Sequence, residues 1–271
     1  MSVKDKSVAS EQELVMLTPK EFLPIAKDHI EHGESFGVEG PPGCGKTSIP
    51  IQAAKEVGLI TLISNGELED TTDGKGLPFR DVDNPNQIVW LKDKKYLIDF
   101  KALWLHDDLA RAPTNVIGVK ATLFLENRID DLYLPEGTCH CWTGNRTFDK
   151  AGANRIPTMF YDRGFVYGLD YDAESQVEYM LQRNDLDMLT LRFLRMKGNS
   201  ALSFDPAKKI NSTSRAWTAV AEKLHQNAYA SYATIAGRIG KGLASELMSF
   251  RDLAPQLPSV EEVMLAPDKA R

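Results

Sequence analysis

Two regimes of apolar patterning divide this 271-residue chain. Up to about residue 170, short unbroken apolar runs at 36–38, 59–63, 102–105, 138–143 and 165–169 alternate with stretches of helical period, notably 48–57 and 115–127. Continuous rather than alternating apolar character marks a strand covered on both faces. Strands that alternate with helices predict an open parallel α/β sheet. Thr18-Pro19-Lys20-Glu21 has the form of a helix start, with Thr18 as N-cap, Pro19 in the first turn and Glu21 closing a capping box. From about Ala173 the strand signal fades, and 174–197, 214–230 and 234–250 suit amphipathic helices. The expected organisation is a polar, flexible segment 1–17, an α/β domain 18–172 and a helical domain 173–271. Within the α/β domain, 66–102 is an irregular insertion rich in Gly, Pro, Asp and Asn.

Chemistry enters between the first strand and the helix at 48–57. Gly40-Pro41-Pro42-Gly43-Cys44-Gly45-Lys46-Thr47 fits G-x-x-x-x-G-K-[ST], and a strand before it and a helix after it turn that pattern into a mechanism. Glycines let successive backbone N–H groups turn inward around phosphates. A helix N-terminus beginning at Ser48 adds its partial positive charge. Lys46 is expected to reach the β and γ phosphates, and Thr47 to hold Mg²⁺ through its hydroxyl. Such a loop only binds; hydrolysis also needs a carboxylate near the metal and a group that positions water. The run at 102–105 ends in His106-Asp107-Asp108, delivering two carboxylates to the carboxyl edge of a parallel sheet, where ligands gather. Asp107 is expected to orient Mg²⁺ through water and Asp108 to polarise the attacking water. The expected activity is ATP hydrolysis, with ATP and Mg²⁺ bound.

Composition narrows the remaining choices. A net charge of −6 removes any bulk attraction to nucleic acid, leaving only a local basic stripe or a pore built by several subunits. The cysteines, Cys44, Cys139 and Cys141, are odd in number and sparse, which argues against a disulfide framework. Cys139-His140-Cys141 has one residue between its thiols, where paired zinc cysteines usually keep two to four. It reads as a strand with both thiols on one face. No apolar stretch approaches the roughly 18 residues of a membrane helix, and the first residues lack the apolar core of a signal peptide. Cytoplasmic placement is the expectation.

Beyond the phosphate loop, several segments stand in a recognisable order: LEDTTDGKGLPF (68–79), LHDDLARAP (105–113), LENRIDDLYLPEG (125–137), TGNRTFDKAGANRIPTMFYDRGF (143–165) and STSRAW (212–217). Together they resemble the MoxR-type AAA+ ATPases, a branch that includes the rubisco-activating CbbQ proteins and many phage-encoded ATPases. The resemblance runs from about 35 to 263. It implies a P-loop AAA+ core with a parallel sheet flanked by helices, followed by a C-terminal helical lid. It also implies a closed homo-hexameric ring and, for a phage-encoded member, the host cytoplasm. By position, Asn145 would be sensor 1, Arg163 the arginine finger acting on the neighbouring subunit, with Arg155 as the other candidate, and Arg215 sensor 2. Two departures stand out. Asp108 occupies a place where relatives carry Glu, one methylene longer. Gly164 separates Arg163 from Phe165 where relatives read D-R-F, which would loosen the chain beside the finger.

Three function classes follow. The first is a motor chaperone that remodels a protein client; relatives work with a von Willebrand factor A-domain partner, here expected as a separate chain. The second is a nucleic-acid translocase or loader. The third is a nucleotide-gated scaffold of slow turnover, motivated by Asp108. The insertion at 68–100 is expected to face the pore or a partner, with Leu77, Phe79 and Trp90 as gripping residues. Its Lys92, Lys94 and Lys95 are offset by Asp93, and Asp81 and Asp83 lie upstream. That balance favours a protein client over nucleic acid.

Overall fold

The computed structural model describes residues 14–146, 149 and 156–254. The helix start at Thr18 forms as the sequence predicts. The Thr18 hydroxyl accepts from the Glu21 amide, the Glu21 carboxylate accepts from the Thr18 amide at 2.9 Å, and Pro19 opens α1 (Pro19–His32). Gly33, at φ 70°, stops it.

After α1 the chain runs β2 (Phe36–Glu39), α2 (Ser48–Val57), β3 (Ile60–Asn65), α3 (Thr71–Lys75), β4 (Leu77–Arg80), β5 (Ile88–Leu91) and β6 (Ala102–Asp107). It continues through α4 (Thr114–Glu126), β7 (Arg128–Ile129), β8 (Leu132–Tyr133), β9 (Cys139–Gly144), α5 (Thr158–Asp162) and β10 (Phe165–Leu169). A strand β1 (Val15–Leu17) precedes them and pairs in parallel with β10. That corrects the expectation of a loose segment up to residue 17; residues 1–13 lie outside the described residues. The main sheet is parallel throughout, in the order β1-β10-β2-β9-β6-β3. The chain thus jumps from β2 to the far edge and returns, so that β9 comes to lie between β2 and β6. The strands β3, β6 and β9 run one or two residues further than their apolar cores. Those extra polar residues reach the carboxyl edge.

One close approach explains a glycine. Gly37 of β2 stands opposite Trp142 of β9, and a Cβ at Gly37 would fall 2.0 Å from the indole. The indole therefore lies across β2, with Tyr161 and Phe160 of α5 edge-on at 5.7 and 6.4 Å. Trp142 and Phe160 share an apolar cluster with Leu109, Val116, Ile117 and Phe124. Gly164 meets a similar limit, because a Cβ there would lie 2.8 Å from the Phe124 ring and 2.9 Å from the Ser35 carbonyl. Gly164 is required by tight packing, which corrects the expectation that it loosens the chain after Arg163.

Polar groups are also buried against the sheet. Trp104 and His106 of β6 stack with His140 of β9, their planes within 19°. His106 Nε2 lies 3.2 Å from His140 Nδ1, and His140 Nε2 lies 2.9 Å from Asn127 Oδ1. Lys120 of α4 bonds Ser64 and pairs with Glu69 at 2.5 Å. Burial, reinforced by the Lys120 charge, holds both histidines neutral and pushes His140 down to about 3. Cys139 and Cys141 are free and buried in β9, and the alternation of a strand turns His140 away from them.

Within the insertion, β4 and β5 form an antiparallel hairpin in which every residue is exposed. Leu77, Phe79, Ile88, Trp90 and Leu91 all stand out from it. Its lysines do not. Lys92 pairs with Asp130 and donates to the Lys75 carbonyl, with 8% of its side chain exposed, and Lys95 pairs with Glu69 at 3.1 Å.

The chain divides into two units, Met1–Asp170 and Tyr171–Arg271. The second is helical: α6 (Ala173–Leu181), α7 (Met188–Lys197), α8 (Ser214–Gln226), α9 (Tyr232–Ile239) and α10 (Lys241–Leu253). Side chains of Asp172, Asp187, Thr213 and Ser231 cap four of these N-termini. Met180, Phe193, Trp217, Leu224 and Leu247 fill its core, and the Trp217 indole N–H reaches the Ala201 carbonyl at 2.8 Å. Among the described residues no helix is long and apolar enough to cross a membrane.

Replacing Gly37 with Ala should overpack the Trp142 contact and cost about 3 kcal/mol. Urea unfolding measures it, and a loss below about 1 kcal/mol would mean that the indole moves aside without cost.

Candidate nucleotide site

The phosphate loop lies between the end of β2 and the start of α2. Gly43 and Gly45 sit at φ 74° and 111°, conformations open to glycine and strained for other residues. Gly40 is buried, and a Cβ there would lie 2.3 Å from the Leu169 carbonyl oxygen. Pro41, Pro42 and Cys44 complete the turn; the Cys44 thiol is buried beside the Leu169 carbonyl, and burial pushes its pKa up. Thr47 occupies the N-cap position of α2, yet its side chain makes no capping bond, and Ser48 is exposed in the first turn. The helix therefore starts without a side-chain cap on its first amides, which suits an anion.

Lys46 is only 7% exposed, and its amine donates to the Gly40 and Pro41 carbonyls at 2.8 and 2.9 Å and to Asn145 Oδ1 at 3.0 Å. Burial lowers its pKa, and the nearby acidic groups oppose that shift. Asn145 follows β9, so the placement of β9 between β2 and β6 sets this amide between the loop and the acidic strand. Asp107 Oδ1 accepts from the Thr47 hydroxyl and from the Thr143 hydroxyl, both at 2.7 Å. Thr143 was not singled out from the sequence. It lies in a strand whose residues are all buried, and no local signal sets it apart.

Asp108 departs from the strand. Its backbone is left-handed, φ 49° and ψ 43°, a strained region that aspartate tolerates better than most residues. Its amide donates to Thr143 Oγ1 at 2.9 Å, and Asn145 Nδ2 approaches its Oδ1 at 3.4 Å. Burial raises its pKa, Asp107 adds to the rise, and Lys46 opposes it. Arg111, three residues on, pairs with Glu67 at 2.7 Å.

The site residues of the first unit thus converge on one sheet edge: Lys46, Thr47, Asp107, Asp108 and Asn145. The residues present fit a nucleotide with its metal. The glycines leave room for phosphate, Lys46 supplies a buried cation, and Thr47 with Asp107 supplies the hard oxygen donors that Mg²⁺ prefers. Arg163 is not part of this convergence. It caps α5, is exposed, and has no hydrogen bond or ion pair among the described residues. Arg155 lies outside the described residues. Arg215 belongs to the second unit, exposed in the first turn of α8 between the buried Ser214 and Ala216.

Comparison with known proteins adds the following. No family model and no curated protein matches the chain. Among solved structures it is similar to a Cytophaga hutchinsonii protein assigned as an ATPase, at 20% identity over 65% of this chain and 54% of that one, TM-score 0.46. It is also similar to the Thermotoga maritima RuvB Holliday junction branch migration motor, at 15% identity over 85% and 67%, TM-score 0.45. A point variant of the same RuvB gives 16% identity over 85% and 67%, TM-score 0.46. The chain spans about half of the Cytophaga protein. The fold itself is a six-stranded parallel sheet flanked by helices, with the phosphate loop after β2 and a helical region after the sheet in the chain.

The raised pKa of Asp108 has a thermodynamic sign. A carboxyl with a higher pKa in the folded than in the unfolded state binds its proton more tightly when folded. Stability then falls as pH rises from the ordinary carboxylate range through the raised value. Asp108→Asn should therefore melt about 2–4 °C higher than the parent at pH 7, with the gap closing at pH 3. A parent that melts at or above the variant at pH 7 would contradict the buried-carboxylate account.

Proposed function

We propose that this protein is a Mg²⁺-dependent ATP hydrolase that works as a closed homo-oligomeric ring, hexameric by the MoxR resemblance, and remodels a protein client. The observation that carries the ATPase reading is the convergence of Lys46, Thr47, Asp107, Asp108 and Asn145 at the carboxyl edge of three adjacent strands.

In this reading the loop amides and Lys46 bind the phosphates, so Lys46 exchanges its carbonyl partners for phosphate oxygens. Thr47 and Asp107 would hold Mg²⁺, which supplies charge neutralisation at the β and γ oxygens when bound. Asp108 accepts a hydrogen bond from the attacking water and orients it, and Asn145 holds that water or the γ-phosphate. The shorter Asp108 side chain is offset by its left-handed backbone, which turns the residue out of the strand line. Arg163, exposed and with no partner among the described residues, stabilises the transition-state charge in the neighbour's site. Arg215, in the second unit, is sensor 2 by the MoxR resemblance. A ring is required because the guanidinium acts between subunits.

The preference for a protein client rests on the hairpin. Its apolar side chains are exposed, whereas Lys92 and Lys95 are tied to Asp130 and Glu69 inside the unit. Of the eight residues on the two hairpin strands, Arg80 is the one charged residue and the rest are apolar, which suits a polypeptide better than a phosphate backbone. A von Willebrand factor A-domain chain is the partner class the resemblance suggests, and cytoplasmic placement accompanies it.

Lys46→Ala should abolish ATP binding in calorimetry, and undiminished affinity would remove the phosphate-loop assignment. Arg163→Ala should bind ATP within twofold of the parent yet hydrolyse it about 10³-fold more slowly; a rate that survives dilution to monomers would refute a finger acting between subunits. Phe79→Ser with Trp90→Ser should leave basal hydrolysis unchanged. The same pair should release whatever protein an Asp108→Asn ring captures in ATP, whereas stimulation by DNA alone would favour the translocase class.

A further inference from the structure

Immediately before the phosphate loop stands a buried carboxylate that the hydrolytic scheme leaves unused. Glu39 ends β2, is 7% exposed, and accepts a hydrogen bond from the Tyr161 hydroxyl. Its neighbours in register are Gly144 on β9 and Gly168 on β10, and Met16 fills the space beside Gly168. A carboxylate at this depth is costly unless it is bonded, so the contact has a reason to persist. Tyr161 is two residues from Arg163, in the short helix α5 that Arg163 caps. Its ring packs edge-on to Trp142 at 5.7 Å, and Trp142 lies on the strand that delivers Asn145.

We propose that Tyr161 is a positioning residue for the neighbouring subunit's reaction: its hydrogen bond to Glu39 fixes α5 on the phosphate-loop strand and thereby aims Arg163. The proposal rests on the arginine-finger reading above. Phe160, buried beside Phe124 and Trp142, anchors α5 through its ring, and the Tyr161–Glu39 bond adds a polar tie from α5 to the end of β2. A helix of five residues moves its end by about an ångström under a small rotation, and an error of that size at a catalytic group costs on the order of a hundredfold at most.

The test uses Tyr161→Phe, which keeps the ring on Trp142 and removes only the hydroxyl, in rings assembled from two kinds of subunit. A Lys46→Ala subunit cannot hold ATP but can donate its finger, and an Arg163→Ala subunit can hold ATP but cannot donate. Mixing the two should restore hydrolysis at junctions where a holder faces a donor. Tyr161→Phe placed on the donor should lower kcat about tenfold with KM unchanged, and placed on the holder should change neither. Glu39→Gln, which still accepts the hydrogen bond, should retain most of the rate when placed on the donor. An equal loss from either placement would mean that the hydroxyl only stabilises the fold, and the positioning role would fall while the finger stands. No restored activity in the unmodified mixture would remove the finger assignment and the Tyr161 role with it.

Discussion

One carboxylate oxygen organises the edge of this sheet. Asp107 Oδ1 takes hydrogen bonds from Thr47, at the start of the helix after the phosphate loop, and from Thr143, on the central strand β9. Three separate elements are thereby fixed to one atom. An oxygen anion bonded twice by hydroxyls is satisfied without a cation, yet it keeps lone pairs facing the loop. The same threonine that steadies Asp107 accepts the Asp108 amide, so the two acidic residues are set by one hydroxyl. Lys46, across the gap, is held by carbonyls and by Asn145. Nothing in the arrangement depends on long surface ion pairs, which are worth little. It depends on short bonds among buried and partly buried groups at the sheet edge.

How much of this was legible in advance varies with the kind of signal. The phosphate loop and the buried strands β2, β6 and β9 were readable because burial on both faces writes itself as apolar runs, and because glycines with positive φ at fixed spacing have few other uses; the run at 59–63 gave the same signal yet forms the edge strand β3, with Ile60 and Ile63 exposed. The helix start at Thr18 was readable because a capping box is a local contact. The insertion of β9 between β2 and β6 was not readable from periodicity, since strand order is decided by crossovers and not by any one segment. That order makes Asn145 a neighbour of Lys46, so the site was named from motif resemblance before its geometry had a cause. Thr143 and Glu39 were missed for a simpler reason. Each lies inside a strand already explained by burial, and nothing local distinguishes a polar residue that must be bonded from one that merely ends a strand.

Glycine misled once and informed twice. At Gly164 the sequence suggested slack, but the space there is taken by the Phe124 ring and the Ser35 carbonyl. At Gly37 and Gly40 the missing side chains let another group approach, an indole in one case and a carbonyl in the other. None of these three has the positive φ that glycine is usually invoked to explain. In a sheet this tightly stacked, absent volume matters more than backbone freedom.

The insertion shows the opposite economy. Its base is fastened by charge, through the buried Glu69–Lys120 pair, from Glu69 to Lys95 and from Lys92 to the exposed Asp130, while its hairpin exposes large apolar side chains on both strands. A buried pair of this kind adds little net stability against an apolar replacement, but breaking it by removing one member is expensive. Its use here is directional. The bonds fix where the hairpin leaves the sheet, close to Ser64 and His106 and so to the strands that end in Asn65 and Asp107. A hairpin held so firmly at its root and so little along its length can transmit a displacement of those strand ends without absorbing it.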